Sequence, residues 1–195
     1  MALKRICVYC GSSNGKNPAY TQAATQLGRA LHERGIGLVY GGAAVGIMGA
    51  VANSILEAGG EAIGVIPKAL ALKEVAHDQL TQLHVVDSMH ERKAMMAELA
   101  DGFIALPGGW GTLEELFEML TWAQLGFHRK PCGLLNIEGY YDGLIEFLNT
   151  AFEQQFVKEV YRPMLLTSDN PADLLAQYAI YQAPQVRKWV EEEQL

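Results

Sequence analysis

Cysteine is scarce in this 195-residue chain, with three in all. An odd number of thiols does not make a disulfide framework. Two of them form Cys7-x-x-Cys10, but the segment Ile6-Cys7-Val8-Tyr9-Cys10 has the apolar, β-rich character of a strand. Side chains three apart on a strand project to opposite faces, so the pair is expected to be two separate core residues and neither a metal clip nor a redox couple. Positive charge is also in short supply. Fifteen Lys and Arg against 22 Asp and Glu leave a net charge of −7, which argues against a surface built for nucleic-acid backbones. A small anionic ligand is still compatible with that balance, because a pocket need not follow the global charge. Long apolar runs are missing as well: nothing approaches the roughly 20 residues that span a bilayer. The opening MALKRICVYCGSS enters a strand pattern directly, without a signal-peptide core or cleavage site. The expectation is a cytoplasmic protein with no membrane or nucleic-acid partner.

Half of the residues are hydrophobic and 19% are charged, as in a compact enzyme-sized domain. Strand-like runs occur at 5–11, 37–41, 62–67, 84–87, 102–106, 132–137 and 164–167. Most are short, rich in Val, Ile and Leu, and nearly continuous in hydrophobicity, as parallel strands buried on both faces are. Helical periods alternate with them: Ala23, Ala24, Leu27, Ala30 and Leu31; Ile47, Met48, Val51 and Ile55; Met95, Met96 and Leu99; Leu113, Leu116, Phe117 and Leu120. The alternation predicts an α/β fold, a single Rossmann-like doubly wound parallel sheet with helices on both faces. No repeat or low-complexity linker divides the chain. One nucleotide-binding domain over residues 1–195 is expected, with a polar C-terminal tail at 182–195.

Ligands of such a sheet bind outside the carboxyl ends of its strands. Three of the loops on that edge carry glycine: Gly11-Ser12-Ser13, Gly41-Gly42-Ala43-Ala44-Val45-Gly46, and Leu106-Pro107-Gly108-Gly109-Trp110-Gly111-Thr112. Glycine at a strand-to-helix turn lets backbone N–H groups approach a ligand closely, and the helix start behind it favours an anion. Each turn taken singly is equally well read as a tight structural connection; their convergence on one edge favours phosphate. Gly11, Ser12, Gly42, Gly46 and Met48 are therefore candidate additional substrate contacts. The dinucleotide fingerprint is not completed, since Gly109-Trp110-Gly111 is followed by Thr112-Leu113-Glu114. The second strand ends Tyr40-Gly41-Gly42 without the acidic residue that holds a ribose.

Two helix starts carry unusual charge. Ser88 and Glu91 fit a capping box, so Glu91 reads as structural. Arg92 follows it on the apolar side of its helix, three, four and seven residues before Met95, Met96 and Leu99. A cation in a first turn opposes the helix dipole and calls for an anion beside it. Lys93 reads equally well as a site residue or a surface cation. Thr112-Leu113-Glu114-Glu115 also has the form of a capping box, with Glu115 at its third position and directed away from the Leu113, Leu116, Phe117, Leu120 stripe.

The sequence Pro107-Gly108-Gly109-Trp110-Gly111-Thr112-Leu113-Glu114-Glu115 matches P-G-G-x-G-T-x-x-E, and with it the chain resembles the LOG ("Lonely Guy") family of cytokinin riboside 5′-monophosphate phosphoribohydrolases. The resemblance extends over nearly the whole chain, through the CGSS strand end, the Gly41–Gly49 turn and Glu91-Arg92-Lys93. It implies that Arg92 and Glu115 are the catalytic pair. It also implies a substrate site of Glu74, Arg92, Lys93, Gly109, Trp110, Gly111, Thr112, Leu113, Glu114, Glu115 and Thr121, with Gly109 through Thr112 at the nucleotide phosphate. Trp110 stands at the variable motif position, and neither it nor Glu114 is given a chemical step.

The activity implied is hydrolysis of the N-glycosidic bond of AMP or N6-modified adenosine 5′-monophosphates, giving free base and ribose 5-phosphate. A carboxylate suits that chemistry because positive charge builds on the sugar as the base departs. No His, Cys or Asp cluster has metal-ligand spacing, so neither a metal nor a cofactor is expected. Family members often carry a lysine decarboxylase label, yet no lysine stands out as a Schiff-base candidate. A non-catalytic nucleotide-binding protein of the same fold is the main alternative, and a nicotinamide-dependent oxidoreductase is the third. Met119 and Trp122 lie off the expected core face of the last helix named, which predicts a homodimer with its active site near the interface.

Overall fold

The computed structural model describes residues 3–71 and 76–185. Its strands are β1 (Arg5–Tyr9), β2 (Gly37–Tyr40), β3 (Ala62–Pro67), β4 (Gln82–Val86), β5 (Gly102–Ala105), β6 (Cys132–Leu135) and β7 (Leu165–Ser168). All pair in parallel in one sheet ordered β4-β3-β2-β1-β5-β6-β7. Helices α1 (Pro18–Glu33), α2 (Gly46–Glu57), α3 (Lys68–Ala71), α4 (Met89–Leu99), α5 (Trp110–Leu125), α6 (Asp142–Glu153) and α7 (Pro171–Ala179) connect or follow them. The doubly wound sheet expected from the alternation is therefore the observed fold. All seven expected strands are present, with ends that agree to within two residues. The expected tail at 182–195 lies outside the described residues from 186 onward.

Strand periodicity divides the core into two layers. Ile6, Val8 and Cys10 enter the layer under α1, α2 and α7, whereas Cys7 and Tyr9 enter the layer with Met96, Leu116 and Met119. Cys7 and Cys10 thus face opposite sides of the sheet as their spacing requires, and all three cysteines are free and buried. Strands β1, β2, β3, β5 and β6 are buried nearly throughout. Each large apolar side chain so placed contributes about 1.5–3 kcal/mol relative to exposure.

The strand order reverses direction between β1 and β5. Successive crossovers from β1 run one way to β4, and the chain then returns to the other side of β1 to lay down β5. The loops after β1 and β5 consequently part at their carboxyl ends and leave a crevice.

Candidate active site

A cleft of about 360 Å³ occupies that crevice, lined by the end of β1 and the turn after it (Val8 to Ser12), Gly41, Met48, Met89, Arg92, Gly109 to Thr112, Glu114 and Glu115. Its two walls are the turn after β1 and the start of α5. They are joined by a hydrogen bond from the Gly11 N–H to the Pro107 carbonyl, 3.1 Å.

Helix α5 does not begin where Thr112-x-x-Glu115 suggested. It starts at Trp110, with Gly109 as N-cap and no side chain capping it. Thr112 is inside the first turn, and the expected capping box does not form, because Gly109 offers no side-chain oxygen. The first-turn N–H groups are left without intrahelical partners beside the cleft. The buried face also differs: it comprises Thr112, Glu115, Leu116, Met119 and Ala123, with Leu113, Phe117 and Leu120 only half-buried. Glu115 thus points into the protein, and Met119, expected on a self-association surface, is fully buried core.

Glu115 is the one buried acidic side chain among the described residues, 9% exposed. Its Oε1 lies 3.5 Å from Arg92 Nη1, with both side chains 11% exposed. Burial pushes the Glu115 carboxyl up to about 7 against the opposing pull of the Arg92 charge, with Glu114 adding a smaller upward push. Arg92 is fixed from behind by an Nε–H bond to the Val65 carbonyl of β3, 3.0 Å. Its guanidinium passes over Gly41, where a Cβ would collide with Nη2. Gly41 therefore has a steric reason to be glycine, and the same reason makes it part of the site.

Ser88 caps α4 by accepting the Glu91 N–H, as expected. The Glu91 carboxylate accepts the N–H of Asp87, one residue before the position a capping box uses. Lys93 next to Arg92 donates to Glu114 at 2.5 Å and to Glu118 at 2.9 Å, with 12% of its side chain exposed. Burial pulls that ammonium down, but the two carboxylate hydrogen bonds outweigh it and hold it above its usual value. Lys93 stands behind the cleft wall and does not line it.

The glycines of the Pro107–Gly111 segment divide by function. A Cβ on Gly108 would strike the Thr112 side chain and the Gly11 backbone nitrogen, so that position is glycine for packing. Gly109 and Gly111 have nothing within 4 Å of where a Cβ would lie, and neither has positive φ. Neither packing nor backbone conformation demands glycine there. What they leave is open space directly over the helix start.

The cleft gathers Arg92, Glu115, Gly109, Trp110, Gly111, Thr112, Glu114, Gly11, Ser12 and Met48 from the residues expected at the site. Leu113, Lys93, Gly42, Gly46 and Thr121 do not line it. Gly42 and Gly46 have positive φ, and Gly46 lets the Ser12–Ser13 backbone pack against it, so both serve the turn itself. Thr121 is exposed, its hydroxyl bonded to the Phe117 carbonyl, in a separate groove with Leu120 and Gln124. Glu74 lies outside the described residues. Gly41, Met89, the strand residues Val8 and Tyr9, and Cys10 just after them complete the lining. Their positions at strand ends and at a helix start were the available signal.

Among the described residues no group of three or more His, Cys, Asp and Glu side chains is placed to hold a metal ion. The cleft can accept an anion at its uncapped helix start while presenting a buried carboxylate and guanidinium beside it.

Comparison with known proteins fits that arrangement. A family model described as "possible lysine decarboxylase" matches residues 48–178. The chain is 50% identical over 179 residues to a cytokinin riboside 5′-monophosphate phosphoribohydrolase of Arabidopsis thaliana, covering 92% of this chain and 82% of that protein. It is 48% identical over 178 residues to the protein of the same name, LOG, from Oryza sativa subsp. japonica, covering 91% and 74%. In fold it resembles a molybdenum cofactor binding protein from Rippkaea orientalis, with TM-score 0.67, 23% identity and coverage of 90% and 95% of the two chains.

Proposed function

The chain belongs to the LOG family of cytokinin riboside 5′-monophosphate phosphoribohydrolases, and we propose that it hydrolyses the N-glycosidic bond of adenosine 5′-monophosphates. The observation that carries this reading is the buried Glu115–Arg92 pair in a cleft that also contains an uncapped, glycine-lined helix start. One part suits the reacting sugar, the other the phosphate.

The substrate phosphate sits over Gly109 and Gly111, against the first N–H groups of α5 and the positive end of its dipole. That contact is remote from the bond being broken and holds the sugar in place while the reaction proceeds. As the C1′–N9 bond breaks, its electron pair leaves with the base and positive charge develops on the ribose. Ionised Glu115 stabilises that charge. It also takes a proton from the water whose oxygen bonds to C1′ and gives one up, through solvent, to the departed base, which so becomes the neutral purine; a carboxyl at about 7 is matched to both transfers near neutral pH. Arg92, fixed by the Val65 carbonyl, keeps the carboxylate ionised and in position. The products are free base and ribose 5-phosphate.

A lysine decarboxylase reading has no support at this site, because no lysine among the described residues lines the cleft and Lys93 is committed to two carboxylates. AMP and its N6-modified forms are the substrates proposed. A cytoplasmic location accords with three free cysteines and with the lack, among the described residues, of a helix long and apolar enough to cross a membrane. A homodimer remains part of the proposal. With Met119 in the core, its support is the groove lined by Phe117, Leu120 and Leu148, together with exposed Phe147 on α6.

Incubation with AMP and with N6-isopentenyladenosine monophosphate tests the reading. Equal amounts of free base and ribose 5-phosphate are expected. Binding of the nucleotide with no base released would make the chain a non-catalytic nucleotide-binding protein instead.

A further inference from the structure

The carbonyl oxygens of the turn before α5 are all engaged, and two of the donors are adjacent tyrosines from elsewhere in the chain. Tyr141 Oη donates to the Leu106 carbonyl and Tyr140 Oη to the Gly108 carbonyl, each at 2.6 Å. The Pro107 carbonyl between them accepts the Gly11 N–H. Neither tyrosine lines the cleft.

Placing two successive tyrosines on alternate carbonyls takes an unusual turn. In residues 136–142 Glu138 has φ of 52° and Gly139 of 68°, so the chain bends sharply just before Tyr140. Asn136 holds the bend by accepting the Tyr141 N–H at 2.7 Å and donating to Asp142 at 2.7 Å. A Cβ at Gly139 would meet the Asp142 carboxylate, which explains the glycine. The non-glycine residue in the left-handed region costs of order 1 kcal/mol or more, and such strain persists where surrounding contacts over-determine it. The Tyr140 ring packs edge-on against Tyr141, centroids 4.8 Å apart, and against Tyr20 of α1, 5.4 Å apart. Tyr20 in turn closes over Gly15 in the turn after β1. One aromatic bracket therefore touches both loops that wall the cleft.

We propose that Tyr140 and Tyr141 are positioning residues for the phosphate site, drawing the Leu106 and Gly108 carbonyls out of the cleft so that the N–H groups at the start of α5 face the ligand alone. At Gly108 the reason is the trans peptide unit, in which the carbonyl of one residue and the N–H of the next point in opposite directions; Leu106 is followed by Pro107, which has no N–H, so there Tyr141 only keeps an oxygen turned away. No peptide bond among the described residues is cis. Tying the Gly108 oxygen to Tyr140 turns the Gly109 N–H to the other side. A carbonyl free to rotate inward would set a negative dipole against the phosphate. The hydroxyl of Tyr140 thus acts on an anion that it does not touch. This inference rests on the proposal that the nucleotide phosphate binds at that helix start.

The test is Tyr140→Phe, which keeps the ring and its stacking, at a side chain already 43% exposed. Affinities for AMP and adenosine are measured by calorimetry with and without this change in the Glu115→Gln protein, in which turnover is suppressed, alongside thermal unfolding. The expected result is AMP affinity weakened roughly threefold to tenfold, the worth of one hydrogen bond, with adenosine affinity and melting temperature unchanged. Tyr141→Phe should repeat the selective loss, with a lower melting temperature because Tyr141 is buried. Unchanged AMP affinity in Tyr140→Phe, or equal losses for AMP and adenosine, would overturn the inference while leaving the proposed function standing. Equal affinities for adenosine and AMP before the tyrosine is changed would instead remove the phosphate anchor, and this inference with it.

Discussion

At the scale of single residues, the account turns on a carboxylate whose burial and whose partner pull in opposite directions. Glu115 at about 7 is half ionised near neutral pH, and Arg92 supplies the pull that prevents a higher value. Base release should therefore fall as pH drops through about 7, and Arg92→Lys should move that acid limb upward, because a point charge replaces the guanidinium fork. A pH profile of kcat/KM on both proteins checks the direction; an unmoved limb would separate Glu115 from Arg92. Arg92 was legible in the sequence because a cation in a first turn breaks a local rule. Glu115 was singled out by family motif, and its local reading as a capping residue failed. A Thr-x-x-Glu pattern does not say which residue is the N-cap, and here Gly109 takes that place, three residues before Thr112.

Helices and turns set which glycines matter and why. Gly108 is packed against Thr112 and Gly11, whereas Gly109 faces open space. Gly108→Ala should lower the melting temperature by several degrees, corresponding to about 1–3 kcal/mol of overpacking. Gly109→Ala should leave it unchanged within about 1 °C and raise the KM for nucleotide, because the added methyl occupies only ligand space. Paired melts and kinetics distinguish the two, and matched losses of stability would refute the division. Sequence alone marks both positions as glycine in a turn. The distinction needs the folded neighbours, since Gly11 comes to Gly108 only when β1 and β5 pair, and Thr112 only when α5 starts at Trp110. The same limit applied to α5, where four large apolar residues defined an expected stripe. Its buried face instead begins with Thr112 and Glu115, because the first turn packs against the sheet's crevice and only later turns pack against its apolar surface.

For the whole molecule, strand and helix alternation carried the topology, since short continuous apolar runs leave little choice but a parallel sheet covered on both sides. The switch point between β1 and β5 then put the glycine turns together. What the alternation could not give was the bracket of Tyr20, Tyr140 and Tyr141, whose members lie on α1 and in the turn before α6 and meet only in the folded chain. The buried Glu115 carboxyl also has a consequence for global stability. Its folded-state value lies above the ordinary 4.5, so the native state holds an extra proton between about 4.5 and 7, and stability is lost as pH rises through that window. Glu115→Gln removes the ionisation and should melt several degrees higher than wild type at pH 8, a gain of order 3 kcal/mol that disappears below about pH 4.5. Light scattering at micromolar concentration should give the mass of a dimer, and a monomer would leave the exposed apolar side chains of α6 without that role. The most direct measurement is adenine release from AMP by wild type and by Glu115→Gln at pH 8, with folding of each confirmed by its melt. Wild type should release adenine and ribose 5-phosphate in equal amounts, and the variant should lose at least about a hundredfold in rate, the scale of one general acid–base group. Wild-type rates in a folded Glu115→Gln protein would contradict it.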